Sequence, residues 1–393
     1  MKNFWKKSLS LVLLLVFVLS PVSLAAPLQT PAEAAHLSFG SDKKFTIMQV
    51  SDVQDGPGLM PAAARFLKKA LKDVNPDLVV LTGDNIFGGK SQTDKLTQHT
   101  IDKLMSIFES AGVPVAAVFG NHDDEGKTSK EAQMAMYMQY DCFVGHDEGP
   151  EISGVGTYNV PIYASNNPQK MAFNLWMIDS GTYDEENGGY AHVQTDQLDW
   201  YTGKSNQLKA ANGGELVPAM MFQHIVVPEV YEAFLEVPFG TPGAIARYGK
   251  YFILNPAMTH SGVLTEGAYP PTVNNGQFNA MQSQGDVVAL FVGHDHTNTY
   301  HVTVRGIGIA CSPTAGIATY GDDNRGVRVI TIDENNPTEY TTRLVQYKDY
   351  FAKNSILNFG YIILDGAWRI IYPFQKLVYH LQNFFSPDVK PLI

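Results

Sequence analysis

Cysteine is all but missing from this 393-residue chain, with Cys142 and Cys311 the only two. They cannot build a disulfide framework or a Cys-rich zinc site. They could pair if the chain is exported, but two separate small hydrophobes are the simpler reading. Positive charge is short as well: 28 Lys plus Arg stand against 39 Asp plus Glu, for a net charge of −11. Contacts to nucleic-acid phosphates need clustered Lys and Arg, so no nucleic-acid partner is expected. Beyond the N-terminus, long apolar runs are lacking, and no internal transmembrane helix is expected. No repeat of fixed period is found, which argues against a solenoid. What remains is 45% apolar and 17% charged residues, the composition of a globular protein with a sizeable core.

The chain starts with Lys2, Lys6 and Lys7, then an apolar run from about Leu9 to Leu19, then Pro21 and Ser23-Leu24-Ala25. This three-part order is that of a secretory signal peptide, residues 1–25, and the run is short for a membrane span. Cleavage after Ala25 would remove three Lys and no acid, taking the charge from −11 to −14. The expected location is therefore secreted or in the cell envelope. Residues 26–43, rich in Ala and Pro, read as a linker.

From residue 44, apolar strands alternate with helical patterns. Phe45–Val50, Asp77–Leu81 and Val113–Phe119 read as buried strands, and residues 61–73 and 94–110 as helices. Later strands are expected at Met171–Ile178, Val217–Phe222, Val287–Val292, Tyr300–Val304, Val327–Ile332 and Tyr340–Val345. A helix is expected over 194–210, capped by Thr195 or Asp196. Residues 237–285 carry many Pro, Gly and Asn and read as long loops. The domain spans 44–345. Residues 346–393 are aromatic-rich and read as a helical appendage, packed on the domain or touching a membrane peripherally.

Polar clusters fall where these strands end: Asp52-Val53-Gln54, Gly83-Asp84-Asn85, Gly120-Asn121-His122-Asp123, His224 and Gly293-His294-Asp295-His296. In a wound α/β sheet, ligands bind beyond the carboxyl ends of the strands. Oxygen and imidazole donors gathered there can hold divalent ions. Gly-Asp alone means little, and a lone His is usually structural, but Gly-His-Asp-His after an apolar strand is specific. All the clusters in this order are hard to obtain by chance. His260 competes with His224, which follows the cleaner strand. His192, between Gly188 and Trp200, is a weaker candidate for lining a cleft.

Over residues 44–304 this order resembles the calcineurin-like metallophosphoesterases, whose pattern is Asp-x-His, Gly-Asp, Gly-Asn-His-Asp/Glu, a lone His, then Gly-His-x-His. Two stretches, HIVVPEVYEAF from His224 and GGYAHVQTDQLDW from Gly188, are similar to the purple acid phosphatase 29-like branch. The resemblance implies a four-layer α/β/β/α sandwich with two central mixed sheets. It implies two divalent ions (Mn, Fe, Zn or Mg), with Asp84 bridging. Asp52, Gln54 and His296 would face one ion, and Asn121, His224 and His294 the other. A hydroxide between the ions would attack phosphorus in line, with His122 protonating the leaving oxygen or stabilising the transition state.

Three departures from that pattern matter. Gln54 stands where the family has His, which weakens the first site or favours oxygen-seeking ions such as Mn or Mg. Phe87 stands where many members place the Asp that pairs with the catalytic His, so His122 needs another partner, with Asp123, Asp124 or Asp295 the candidates. No Tyr follows Asp84 to give an Fe(III) charge-transfer colour. The expected substrate is a small phosphate monoester. A phosphodiester or nucleotide is the alternative on the same metals, with Tyr183, Tyr190 and Trp200 available for stacking although core packing suits them better. A non-catalytic, metal-stabilised envelope protein is the reading from another class.

Overall fold

The computed structural model describes residues 36–351 and 359–385, so the expected signal peptide and most of the expected linker lie outside it. Strands β1 (Lys44–Val50), β2 (Leu78–Thr82) and β3 (Val115–Val118) run parallel, joined by helices α1 (Pro61–Val74) and α2 (Asp94–Ala111) and followed by α3 (Lys130–Tyr137). Pro61 opens α1 with its φ already helical. Thr93 caps α2 through its side chain, and Gly112 closes it in the left-handed conformation.

Then come β4 (Tyr158–Ala164), β5 (Asn167–Met177), α4 (Thr195–Ala211) and β6 (Ala219–Phe222). The cap of α4 is Gln194, paired with Gln197 in a capping box, rather than Thr195 or Asp196, because its own backbone is still extended. Residues 237–285 are more ordered than their composition suggested. They finish β7 (Phe234–Val237) and hold β8 (Ile245–Arg247), β9 (Lys250–Leu254), β10 (Thr259–Ser261) and α5 (Gln277–Gln284). After β11 (Val287–Val292) follow β12 (His301–Val304), β13 (Ile307–Cys311), β14 (Gly326–Asp333) and β15 (Tyr340–Gln346). The short α6 (Tyr347–Tyr350) and the long α7 (Phe359–Phe385) come last.

Two mixed sheets result, ordered β15-β14-β1-β2-β3 and β10-β12-β13-β11-β6-β5-β4, with β7-β9-β8 as a small third. Alternation along each strand decides which layer a side chain joins. Met220, Phe222, Ala289 and Phe291 face the first sheet and share one core with Ile47, Val79, Val329, Phe66 and Leu104. Their neighbours Met221 and Leu290 face Tyr201 of α4 and Phe278 of α5 in a second core. Helices α1 and α2 therefore cover one sheet, α4 and α5 the other, and the expected four layers are present. Leu37 and Phe39, in the stretch expected to be a linker, are buried in the first core.

Polar bridges fix the two sheets to each other near one edge. Gln49 Nε2 on β1 donates to Val292 O at the end of β11 (3.0 Å). The buried guanidinium of Arg328 on β14 donates to Cys311 O (2.6 Å) and Thr299 O (2.9 Å) of the other sheet. Tyr158 OH of β4 exchanges hydrogen bonds with Ala117 of β3, each 2.8 Å. A one-residue slip in any of these strands would unpair a buried polar group. Cys142 and Cys311 are both free thiols.

Nearby, burial pushes the His301 imidazole down to about 4, helped by Arg328 and His260, while its ring bonds Tyr340 OH (2.7 Å). The unfolded chain therefore binds a proton, near pH 6.5, that the folded chain refuses. The contribution is complete above pH 6.5 and is lost as pH falls towards 4. Urea unfolding at pH 7 and pH 4.5 should show about 1–3 kcal/mol less of this acid loss in His301→Gln than in the parent. Equal losses in both would show that other groups dominate.

Candidate metal centre

Three of the five polar clusters leave their strands in a backbone that side chains seldom adopt. Asp52, Gln54, Asp84 and His294 all have positive φ, between 47° and 72°. Such strain survives only where surrounding structure holds it, and it collects at functional sites. The left-handed turn at His294 lets His294 and His296 diverge after β11, so they face different carboxylates instead of one. Two glycines make room for this crowding. A Cβ on Gly120 would sit 2.2 Å from Asp84 Oδ1, and one on Gly293 would sit 1.8 Å from Ser51 Oγ.

Asp84 lies at the centre. Its Oδ1 accepts from the His122 backbone N–H (2.8 Å), and its Oδ2 lies 3.3 Å from His224 Nε2. Burial alone would drive this carboxyl up, but His224 and His122 outweigh it and hold it well below the usual carboxylate range. On one side, His296 Nε2 lies 3.3 Å from Asp52 Oδ1. On the other, His294 Nδ1 lies 3.2 Å from His224 Nε2. Two clusters of closely spaced ligand atoms share Asp84: Asp84, His224 and His294, and Asp52, Asp84 and His296.

The outer contacts orient these groups. The Nδ1 atoms of His224 and His296 lie on the carbonyls of Thr82 (2.9 Å) and Tyr320 (3.0 Å), which leaves each Nε2 facing inwards. Asp52 spends Oδ2 on Ser51 Oγ (2.5 Å) and on the His294 N–H (3.1 Å). One buried oxygen on each of Asp52 (Oδ1), Gln54 (Oε1), Asp84 (Oδ2) and Asn121 (Oδ1) has no hydrogen-bond partner. Buried acceptors left bare cost free energy. Four of them beside three inward imidazoles form the mixed N and O donor set that suits divalent transition ions, so these residues fit the implied pair of metals.

His122 borders the site with Nε2 4.0 Å from Asp84 Oδ2. Its partner is none of Asp123, Asp124 and Asp295. Glu125 Oε2 makes an ion-pair contact with Nδ1 at 2.8 Å, because the tight turn over His122–Asp124 brings position i+3 back to the ring. Glu125 is in turn held by Tyr183 OH (2.8 Å), which also accepts from Asn121 Nδ2 (2.9 Å). Asp123 instead braces two loops by accepting from Gly120 N and Ile86 N. Phe87 meets the His122 ring edge-on at 5.5 Å. Burial pulls His122 down, but Asp84 and Glu125 more than offset it and leave the imidazole above its ordinary value. Glu125 and Tyr183 carry no motif of their own, and an i+3 carboxylate after the His was the one available signal.

A cavity of about 350 Å3 opens over these groups. Gln54, Asp84, His122, His294 and His296 line its floor, and Phe87, Tyr190, Tyr269, Tyr320 and Trp368 its walls. Tyr190 packs edge-on against His294 at 4.3 Å and stacks on Tyr183. Trp200 lies against Trp176, away from the cavity. His192 is not part of the lining. His260 sits exposed on β10 and bonds Thr303.

Comparison with known proteins points the same way as this geometry. The model of the calcineurin-like phosphoesterase family matches residues 45–298. The chain is 28% identical over 329 residues to a protein of Arabidopsis thaliana named probable inactive purple acid phosphatase 14, covering 75% of this chain and 76% of that one. It is 27% identical over 343 residues to probable inactive purple acid phosphatase 29 of the same plant, covering 79% and 82%. With phosphatase DCR2 of Saccharomyces cerevisiae it shares 28% identity over 299 residues, covering 70% of this chain and 47% of the yeast protein.

Proposed function

We propose that this chain, which belongs to the calcineurin-like phosphoesterase family and is thus a hydrolase acting on phosphoric esters, cleaves small phosphate monoesters at a dinuclear metal site. The observation that carries this reading is the set of four buried, unpartnered oxygens on Asp52, Gln54, Asp84 and Asn121 beside His224, His294 and His296. Asp84 would serve both ions, with Asp52, Gln54 and His296 on one side and Asn121, His224 and His294 on the other. Two divalent ions there would supply Lewis acidity to the phosphoryl oxygens and activate a water.

The remaining work belongs to side chains. His122, whose imidazole Asp84 and Glu125 raise above its ordinary value, gives its Nε2 proton to the leaving oxygen, with Glu125 Oε2 close to Nδ1 to offset the charge. Glu125 and Tyr183 keep the imidazole plane fixed through that transfer. A cavity of about 350 Å3 lies near the lower end of ordinary ligand sites, which favours a small ester over a polymeric one. Gln54 gives a neutral oxygen in place of an imidazole, so an oxygen-seeking ion such as Mn suits that position. The N-terminal signal pattern supports action outside the cytoplasm. Among the described residues, no helix is long and apolar enough to cross a membrane.

The test pairs metal analysis with turnover on residues 26–393. Near two ions per chain, with p-nitrophenyl phosphate hydrolysed in Mn and silenced by chelator, is the expected result. A preference for bis-p-nitrophenyl phosphate would transfer the reading to diesters. One ion or none, with neither ester cleaved, would favour a metal-stabilised binding protein, the direction in which Gln54 and the "inactive" names of the plant relatives point.

A further inference from the structure

The last helix does not stand apart from the domain. It lies along the mouth of the metal centre, and one of its faces forms part of the cavity. Trp368, Tyr372, Gln375 and Lys376 recur at helical spacing and point inwards. Lys376 Nζ donates to Thr265 O (2.5 Å), and Tyr372 OH lies 3.1 Å from Thr297 Oγ1, the residue after His296. Tyr372 stacks on Tyr320 at 5.5 Å, and Trp368 meets the same ring edge-on at 6.5 Å. Tyr320 stacks on His296 at 4.0 Å with only 11° between the planes. Its hydroxyl donates to Glu266 (2.9 Å), which also accepts from the Thr297 N–H (2.7 Å).

Trp368 and Gln375 go beyond this docking and line the cavity itself, together with Phe87 and His122. Among the described residues, the cavity thus joins the polar candidate ligands to five aromatic side chains, with Lys90 the one ammonium in its lining. Gln375 Oε1 is buried there without a hydrogen-bond partner. The floor needs no aromatic rim to hold a phosphate, because phosphate would be met by ions and imidazoles. An aromatic rim with one bare amide oxygen suits what is attached to the phosphate: a flat, ring-sized group carrying a hydrogen-bond donor.

We infer that α7 is the specificity wall of this site, with Trp368 packing on the leaving group of a phosphate monoester and Gln375 bonding a substituent on it. The inference rests on the phosphoesterase reading above and deepens it. It selects aryl-type or similarly flat monoesters over alkyl ones of equal charge. The outer face of α7 takes no part in this, and its exposed Ile370, Phe374 and Leu377 point away from the cavity.

The experiment uses the full mature chain loaded with Mn and two ligands that cannot be hydrolysed. Calorimetric titration compares phenylphosphonate with methylphosphonate, whose acidic heads are alike. The parent should bind phenylphosphonate on the order of tenfold more tightly. Trp368→Ala should remove most of that preference while methylphosphonate affinity stays within about twofold, and Trp368→Phe should keep part of it. Gln375→Ala should leave both ligands unchanged but lose the gain from a ring hydroxyl, read with hydroxyphenylphosphonate. An undiminished phenyl preference in Trp368→Ala, with the far-ultraviolet circular dichroism of the parent, overturns the inference. If Trp368→Ala fails to fold, Trp368→Phe and Gln375→Ala decide on the same ratios. Failure of the parent to bind even methylphosphonate in Mn would instead sink the phosphoesterase reading, and this inference with it.

Discussion

Asp84→Asn should lower turnover by about a thousandfold or more and bring metal content from near two ions per chain to one or none. The reason lies in how the two candidate clusters are joined. Among the described residues, Asp84 belongs to both and the other members belong to one each. An amide of the same shape offers one oxygen and turns N–H donors towards the other ion. In the folded chain the imidazoles of His224 and His122 hold Asp84 ionised against the cost of burial, so ion entry displaces a proton from His224 and none from the carboxylate. The variant should keep its fold, since Asp84 supplies a single backbone hydrogen bond, to the His122 N–H. Metal analysis, initial rates and a thermal melt on one preparation read all three quantities. Two tightly held ions in Asp84→Asn would show that the ligand set is not the one drawn here.

His122→Ala should behave differently: a loss of roughly 10²–10⁴ in kcat with metal content unchanged. His122 sits at the rim with Nε2 4.0 Å from Asp84 and is outside both clusters, so its removal takes away a proton donor and leaves the ions held. The pH profile gives a sharper reading through Glu125. The carboxylate at 2.8 Å raises His122 above its ordinary value, so the charged form persists further into the alkaline range. In Glu125→Gln that support is gone and the imidazole loses its proton at lower pH. The alkaline limb of kcat should shift towards acid, while the acid limb, set elsewhere, stays in place. A drop in rate with no movement of the alkaline limb would reduce Glu125 to a packing role.

Much of this candidate centre was legible in the sequence because candidate metal ligands at strand ends leave a double mark: an apolar run, then a polar residue beside glycine. Asp84 after Leu78–Thr82 and His294 after Val287–Val292 carry both marks. The central strands were readable for the same reason, since a buried strand tolerates little but Val, Ile, Leu, Met and Phe. The strands β8, β9 and β10 were not, being three to five residues long and set among Pro, Gly and Asn. β8 and β9 are held by each other in a hairpin and β10 by the distant β12, so pairing and not local composition decides them. Glu125 was missed because a partner for His122 was sought among the carboxylates beside the motifs, whereas the turn after Asn121 selects position i+3. Helix α7 was expected as a helix, but nothing in its pattern told which of its faces would meet the cavity. That depends on Tyr320 and Thr297, residues distant in sequence, and on the aromatic stack they complete.

The position of α7 in chain order also divides the site into two parts. Every candidate ligand, from Asp52 to His296, precedes Phe359, where the helix begins. Trp368 and Gln375 reach the same cavity from the far end of the chain. The groups that would hold ions and the groups that narrow the mouth therefore lie on separate stretches of sequence, and either set can change without altering the other.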